Sequence, residues 1–178
     1  DYFKDKSVIY SELKASYGTT DERRDMIEYK KVDANNNVIA KYYDTFDATT
    51  AKVGFNLPLL RWADVLLMCA EAHSEVAYDG TEDSKAMSSL NLVRGRAKAV
   101  TYTSTELSDQ NSFRKAVLEE RRLEFPFELH RWFDLIRTDT AIDAMAKVGF
   151  TITKDDYLYP LPKTEVDLII ILRNCKSN

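Results

Sequence analysis

Leu118-Glu119-Glu120-Arg121-Arg122-Leu123-Glu124-Phe125-Pro126-Phe127-Glu128-Leu129-His130-Arg131-Trp132-Phe133-Asp134-Leu135-Ile136-Arg137 mixes acidic, basic and large apolar residues in one run. Just upstream, Phe113 and Val117 lead into Glu120 and Glu124 at helical spacing, so all four share one face of a helix. The two carboxylates therefore follow the apolar stripe inward, where ionised groups need partners. Pro126 removes the hydrogen bond to the Arg122 carbonyl, so a break or kink is expected there. Beyond it Leu129, Trp132, Phe133 and Ile136 predict a second buried stripe, with Arg131 and Asp134 beside it.

Working outward, the helix that carries this stretch is expected to begin near Ser108, with Leu107 as a hydrophobic staple. Before it, Ser84 to Ala99 reads as a helix burying Ala86, Leu90, Val93 and Ala97. An earlier helix takes Asn56 as cap, Pro58 in its first turn and Gly80 beyond its end. It buries Leu59, Ala63, Leu66, Leu67 and Ala70. A mostly polar stripe of Arg61, Asp64, Met68, Glu71 and Glu75 lies beside them, with Arg61 and Asp64 spaced to pair along the surface. These two helices, joined by a short connector, make an antiparallel pair. Toward the N-terminus, Asp25 to Lys31 and Val38 to Asp44 alternate polar and apolar around an Asn-rich turn and predict a β-hairpin. Residues 45–56 read as a loop. Toward the C-terminus, Thr140 to Val148 is a short helix ending at Gly149. The Tyr157–Pro162 run must be extended because of its two prolines, and Lys163 to Asp167 is a helical turn.

The chain has 178 residues, a formal charge of −4, 44% hydrophobic residues, five glycines and four prolines. A chain of this size buries roughly 70% of its unfolded surface, enough for a real core in one domain. The slightly acidic balance gives no electrostatic reason to expect nucleic acid. Cys69 sits in an apolar run and Cys175 near the end, which makes neither a disulfide framework nor a metal site. His73 and His130 lack zinc-ligand spacing, and no nucleophile elbow or phosphate-binding glycine loop is present. No cofactor is expected. Ten Tyr, eight Phe and two Trp are the unusual feature, since flat rings serve both cores and sugar-binding surfaces.

Four pieces, in order, resemble the C-terminal part of the SusD/RagB family. They are Leu60-Arg61-Trp62-Ala63-Asp64-Val65-Leu66-Leu67-Met68-Cys69-Ala70-Glu71-Ala72; Leu90-Asn91-Leu92-Val93-Arg94-Gly95-Arg96-Ala97; Glu120-Arg121-Arg122-Leu123-Glu124-Phe125 with His130-Arg131-Trp132-Phe133-Asp134-Leu135; and Leu158-Tyr159-Pro160-Leu161-Pro162-Lys163-Thr164-Glu165-Val166-Asp167-Leu168. They span about residues 57–168, and Asp21-Glu22-Arg23-Arg24 matches a short element that precedes them in the family. The resemblance implies an all-α fold with tetratricopeptide-like helix pairs in the full-length family. It also implies a surface-exposed lipoprotein of the outer membrane that binds glycan or other nutrient oligomers and partners a SusC-like TonB-dependent transporter. On this reading residues 1–178 are a single C-terminal portion, without the N-terminal part that carries the lipid anchor. After Leu168 the apolar run Ile169-Ile170-Ile171-Leu172 departs from the family pattern, as a shifted reading frame or as a docked strand or buried tail.

The expectation is thus a mainly α-helical chain with a small β-hairpin that binds without catalysis. Pairs such as Glu120 and Glu124, or Glu128 and Asp134, resemble glycosidase carboxylates, but the surrounding arginines favour the ionised form rather than a general acid. Arg61, Asp64, Glu71, Arg94, Glu120, Arg121, Glu124, Arg131 and Asp134 are read instead as a structural ion-pair network. Ligand contacts are sought among Tyr10, Tyr17, Tyr42, Tyr43 and Phe46, in the less regular N-terminal part. Trp62 and Trp132, lying in helical stripes, are expected in the core. The alternative function is a helical-repeat scaffold for a protein partner, without a small ligand.

Overall fold

The computed structural model describes residues 6–27, 29–31, 37–42 and 58–168, with the side chains of 6–10, 29–31 and 37–38 left aside. Within these the chain is mainly helical. In order come α1 (Lys6–Ser16), α2 (Arg23–Met26), β1 (Tyr29–Lys31), β2 (Asn37–Ile39), a 3-10 turn (Ala40–Tyr42), α3 (Trp62–Val76), α4 (Lys85–Arg96), α5 (Gln110–Glu124), α6 (His130–Arg137), α7 (Ala141–Lys147) and a second 3-10 turn (Lys154–Tyr157). The strands pair antiparallel, Tyr29 opposite Ile39, Lys30 opposite Val38 and Lys31 opposite Asn37. The extended segments are shorter than the alternation predicted. Asp25 is helical in α2, and 40–42 curls into the 3-10 turn. The rest of the second predicted strand, the 45–56 loop, Asn56 and the 169–178 tail lie outside the described residues.

The chain divides into two compact units, residues 1–131 and 132–178. In the first, α3 packs along α4 and against α5. α4 opens on Ser84, whose side chain accepts the Met87 N–H at 3.2 Å. α5 opens on Asp109, which accepts the Asn111 and Ser112 N–H groups while Ser112 closes a capping box. Leu67, Ala70, Ala86, Met87, Leu90, Val93, Phe113 and Val117 fill the core between the three helices. The Phe113 ring meets Tyr78 at 4.9 Å. Gly80 follows α3 at φ +68°, a left-handed conformation that suits glycine.

Four expectations change here: the helix start, the Arg61–Asp64 pairing, the burial of Leu59 and the place of Trp62. α3 starts at Trp62, and Arg61 before it is extended at φ −144°, ψ 161°, so Arg61 is not on the helix face beside Asp64. Leu59 and Leu60, ahead of the helix, are exposed, and so is Trp62 at 70%. Trp62 therefore stands on the outer face of α3 rather than in the core.

The second unit is built on α6, whose buried residues are Asp134 and Leu135. The stripe predicted there fails: Leu129 is 82% exposed, Phe133 is exposed, and Trp132 and Ile136 are only half-buried. Asp134 takes an inward position because Arg137, one turn on, pairs with it at 2.9 Å. Trp132 meets the Tyr157 ring edge-on at 6.2 Å. Gly149 ends α7 at φ +84°, Tyr157 closes the second 3-10 turn rather than opening the predicted extended run, Leu158 after it has extended dihedrals, and 163–168 is helical.

Candidate functional site

The C-terminal end of α5 carries Glu120, Arg121 and Glu124, all buried. Glu120 is fully buried. Its carboxylate is held from both sides: Arg23 Nη1 donates to Oε1 at 2.6 Å and Arg94 Nη1 donates to Oε2 at 2.6 Å. Glu124 is contacted by three guanidinium groups. Arg23 Nη1 reaches Oε2 at 2.9 Å, Arg96 Nη2 reaches Oε1 at 2.6 Å and Oε2 at 2.8 Å, and Arg61 Nη1 donates to Oε1.

Arg23 is the hub. Its Nε and Nη2 clasp Asp21 at 2.9 and 2.7 Å, while Nη1 bridges the two glutamates. Burial alone would lower its pKa, but the bonds and charges of Asp21 and Glu120 outweigh burial and raise it. The hub is assembled from distant sequence, since 97 and 101 residues separate Arg23 from its glutamate partners.

α5 ends at Glu124, with Phe125 as its C-cap. The carbonyl oxygens freed there sit at the negative end of the helix dipole and attract cations. Arg61 Nη2 donates to the Glu124 carbonyl at 2.6 Å, and Lys41 Nζ donates to the Glu124 and Pro126 carbonyls at 3.0 and 3.2 Å. The turn after Pro126 puts Phe127 and Leu129 in the left-handed region, at φ 66° and 64°. Between them Glu128 is drawn back to Arg61, which donates from Nε and Nη2 at 2.9 Å each, and to the Lys41 ammonium. Burial raises the Glu128 carboxyl, but Arg61 and Lys41 outweigh that and hold it below its ordinary value. Burial pushes the Lys41 ammonium down despite its pairing with Glu128. Two guanidinium groups lie over the Phe125 ring, Arg61 at 4.5 Å and Arg121 at 5.2 Å, with His130 against it at 4.8 Å.

Of the residues expected to form ion pairs, Arg61, Arg94, Glu120 and Glu124 meet in this cluster. Asp64 is buried and pairs with Arg121 at 2.7 Å rather than with Arg61. Glu71 lies half-buried on α3, Arg131 closes the first unit, and Asp134 lies in the second beside Arg137. Glu128 and Arg96 already stand among the charges expected to pair, whereas spacing missed Asp21 and Lys41 as partners. The Asp21–Arg24 element flagged by resemblance was the one signal for the hub.

Of the aromatic candidates, Tyr10 lies on α1. Tyr17 is buried beneath Arg23 and donates its hydroxyl to the Leu123 carbonyl at 2.7 Å, and burial pushes that phenol upward. Tyr42 donates to the Phe127 carbonyl at 2.8 Å. Tyr43 and Phe46 lie outside the described residues.

An open cavity of about 190 Å³ adjoins the cluster, lined by Tyr17, Met26 and Pro126, by the basic Arg23, Lys41, Arg61 and Arg96 and by the carboxylates of Glu22 and Glu124. Among the described residues, no group of three His, Cys, Asp or Glu could hold a metal ion, and no helix is long and apolar enough to cross a membrane.

A sequence model of the SusD family (SusD/RagB) matches residues 9–169. The chain belongs to the SusD family. It is 31% identical over 153 residues to the SusD-like protein P2 of Formosa agariphila, covering 78% of this chain and 30% of that protein. The SusD-like protein P38 of the same organism is 29% identical over 158 residues, covering 85% of this chain and 28% of that one. A crystal structure of a SusD superfamily protein from Parabacteroides distasonis matches with a TM-score of 0.68 at 26% identity, over 88% of this chain and 39% of that one. The SusD-like chain thus spans less than a third of the length of these two F. agariphila relatives.

Proposed function

We propose that the SusD-like chain belongs to a surface lipoprotein of the outer membrane that captures glycan or other nutrient oligomers. The captured oligomer passes to a SusC-like TonB-dependent transporter with its bonds intact. The observation that carries this reading is the family match across residues 9–169. SusD-like proteins generally bind rather than catalyse.

The geometry supports the non-catalytic part. Both oxygens of Glu120 and of Glu124 accept from guanidinium groups, so these carboxylates are engaged in structural pairs rather than held open toward a scissile bond. On this reading the network locks α2, α4 and α5 together. Ligand contact falls to aromatic side chains, with Tyr10, Tyr42, Tyr43 and Phe46 as the proposed contacts and Tyr17 at the floor of the cavity.

Isothermal titration calorimetry of the full-length protein against a panel of oligosaccharides, with chromatography of the recovered sugar, tests the proposal. Binding with intact sugar is expected; cleavage products, or no binding across a broad panel, would refute it. The outer face of α3, where Trp62, Val65, Met68 and Val76 are exposed, favours a second reading as a protein-binding scaffold. On that reading Trp62→Glu breaks complex formation while sugar affinity is absent from the start.

A further inference from the structure

We propose that the cavity beside the Arg23 cluster receives an anionic sugar unit, its carboxylate or sulfate group on Arg96 and its ring on the apolar floor. The proposal rests on the reading of glycan capture for the sugar, and on the geometry below for the charge.

Among the described residues the cluster sets five cations, Arg23, Lys41, Arg61, Arg94 and Arg96, against four carboxylates, Asp21, Glu120, Glu124 and Glu128. One positive charge is in excess, and the geometry says where it is available. Arg23 and Arg61 each donate from Nε and both terminal nitrogens. The Lys41 ammonium is engaged by Glu128 and two carbonyls. Arg94 is turned away from the cavity, with Nε on the Val100 carbonyl and its plane on the Tyr102 ring at 4.1 Å. Arg96 donates from Nη2 alone, to Glu124, which leaves Nε and Nη1 for another acceptor. Its side chain is 60% exposed at the edge of the cavity. These two donors lie on different edges of the guanidinium, and each can give one charge-assisted hydrogen bond to a carboxylate or sulfate oxygen.

The remaining wall fits a sugar ring. Met26 is exposed and Pro126 half-buried, and both border the space, with Tyr17 beneath. Apolar C–H faces pack on such surfaces. A volume of about 190 Å³ is enough for one sugar ring. Glu22, the other carboxylate on the rim, is occupied by Lys98 and does not cancel Arg96.

The test titrates the full-length protein by NMR with methyl β-D-glucuronide, methyl β-D-glucoside 6-sulfate and the neutral methyl β-D-glucoside. One or both charged glycosides are expected to bind roughly ten-fold or more tighter than the neutral one, with affinity falling as salt rises. Arg96→Gln should abolish the preference, and so should Met26→Asp, which sets a like charge beside the ligand. Both variants must keep the parent melting temperature. Equal affinity for charged and neutral glycosides, or an unchanged preference in Arg96→Gln, overturns the proposal. If oligosaccharides bind but charged and neutral glycosides bind alike with or without Arg96, the anion site falls and glycan capture stands. If the glucuronide binds through Arg96 in a protein that takes no oligosaccharide, the anion site stands and glycan capture falls.

Discussion

Replacing Arg23 by methionine is the sharpest perturbation of the cluster, because its guanidinium serves three carboxylates at once. The losses differ by partner. Glu120 keeps Arg94, and Glu124 keeps Arg61 and Arg96. Asp21 keeps only the backbone N–H of residue 23, at 3.0 Å, and its side chain is 2% exposed. Arg23→Met therefore leaves a carboxylate buried without a cation, which costs about 3–5 kcal/mol. A typical domain is stable by about 5–15 kcal/mol, so the variant should be soluble but strongly weakened. Arg23→Lys retains the charge but cannot span three carboxylates, and about 1–3 kcal/mol is expected. Arg114→Ala, which breaks the exposed pair with Glu75, serves as control and should leave the unfolding midpoint within error. Urea unfolding followed by circular dichroism reads all three, as midpoint shifts at constant slope. If Arg23→Met moved the midpoint no further than Arg114→Ala, the cluster would not be what joins α2 to α5.

Other outcomes follow from the same contacts. Tyr17→Phe removes the hydroxyl that binds the Leu123 carbonyl and should cost about 1 kcal/mol, checked by thermal unfolding. Ser84→Ala removes the α4 cap and should also cost about 1 kcal/mol; a neutral result would mean that cap does not hold in solution. Glu128 should contribute to acid denaturation. Its folded pKa lies below the ordinary 4.5, so just below that pH the unfolded chain binds more protons than the folded one. Its stabilisation is complete above about pH 4.5 and is lost as pH falls through the folded value. Glu128→Gln should flatten this limb of the stability–pH curve, and an equally steep limb would contradict the pairing with Arg61 and Lys41.

Much of the helical frame was legible because α4 and α5 obey a single period. Ala86, Leu90, Val93 and Ala97 are buried as spaced, and Glu120 and Glu124 follow Phe113 and Val117 inward. Periodicity failed where the backbone left the helix. Arg61 shares a three-residue spacing with Asp64, yet it stands before α3 in extended conformation, so its side chain turns to Glu124 and Glu128. It failed again in α6, a helix of eight residues, where an Asp134–Arg137 pair carries a carboxylate inward while Phe133 stays exposed. Partner choice within the cluster was the least legible, since the charge of Arg23 is local but its position against α5 is a property of the whole fold.

The central claim is capture without chemistry, and calorimetric titration of the full-length protein with oligosaccharides, followed by analysis of the recovered sugar, tests it most directly. Saturable binding with the sugar returned uncut is expected. Shortened sugar, or silence across neutral and acidic panels alike, would contradict it.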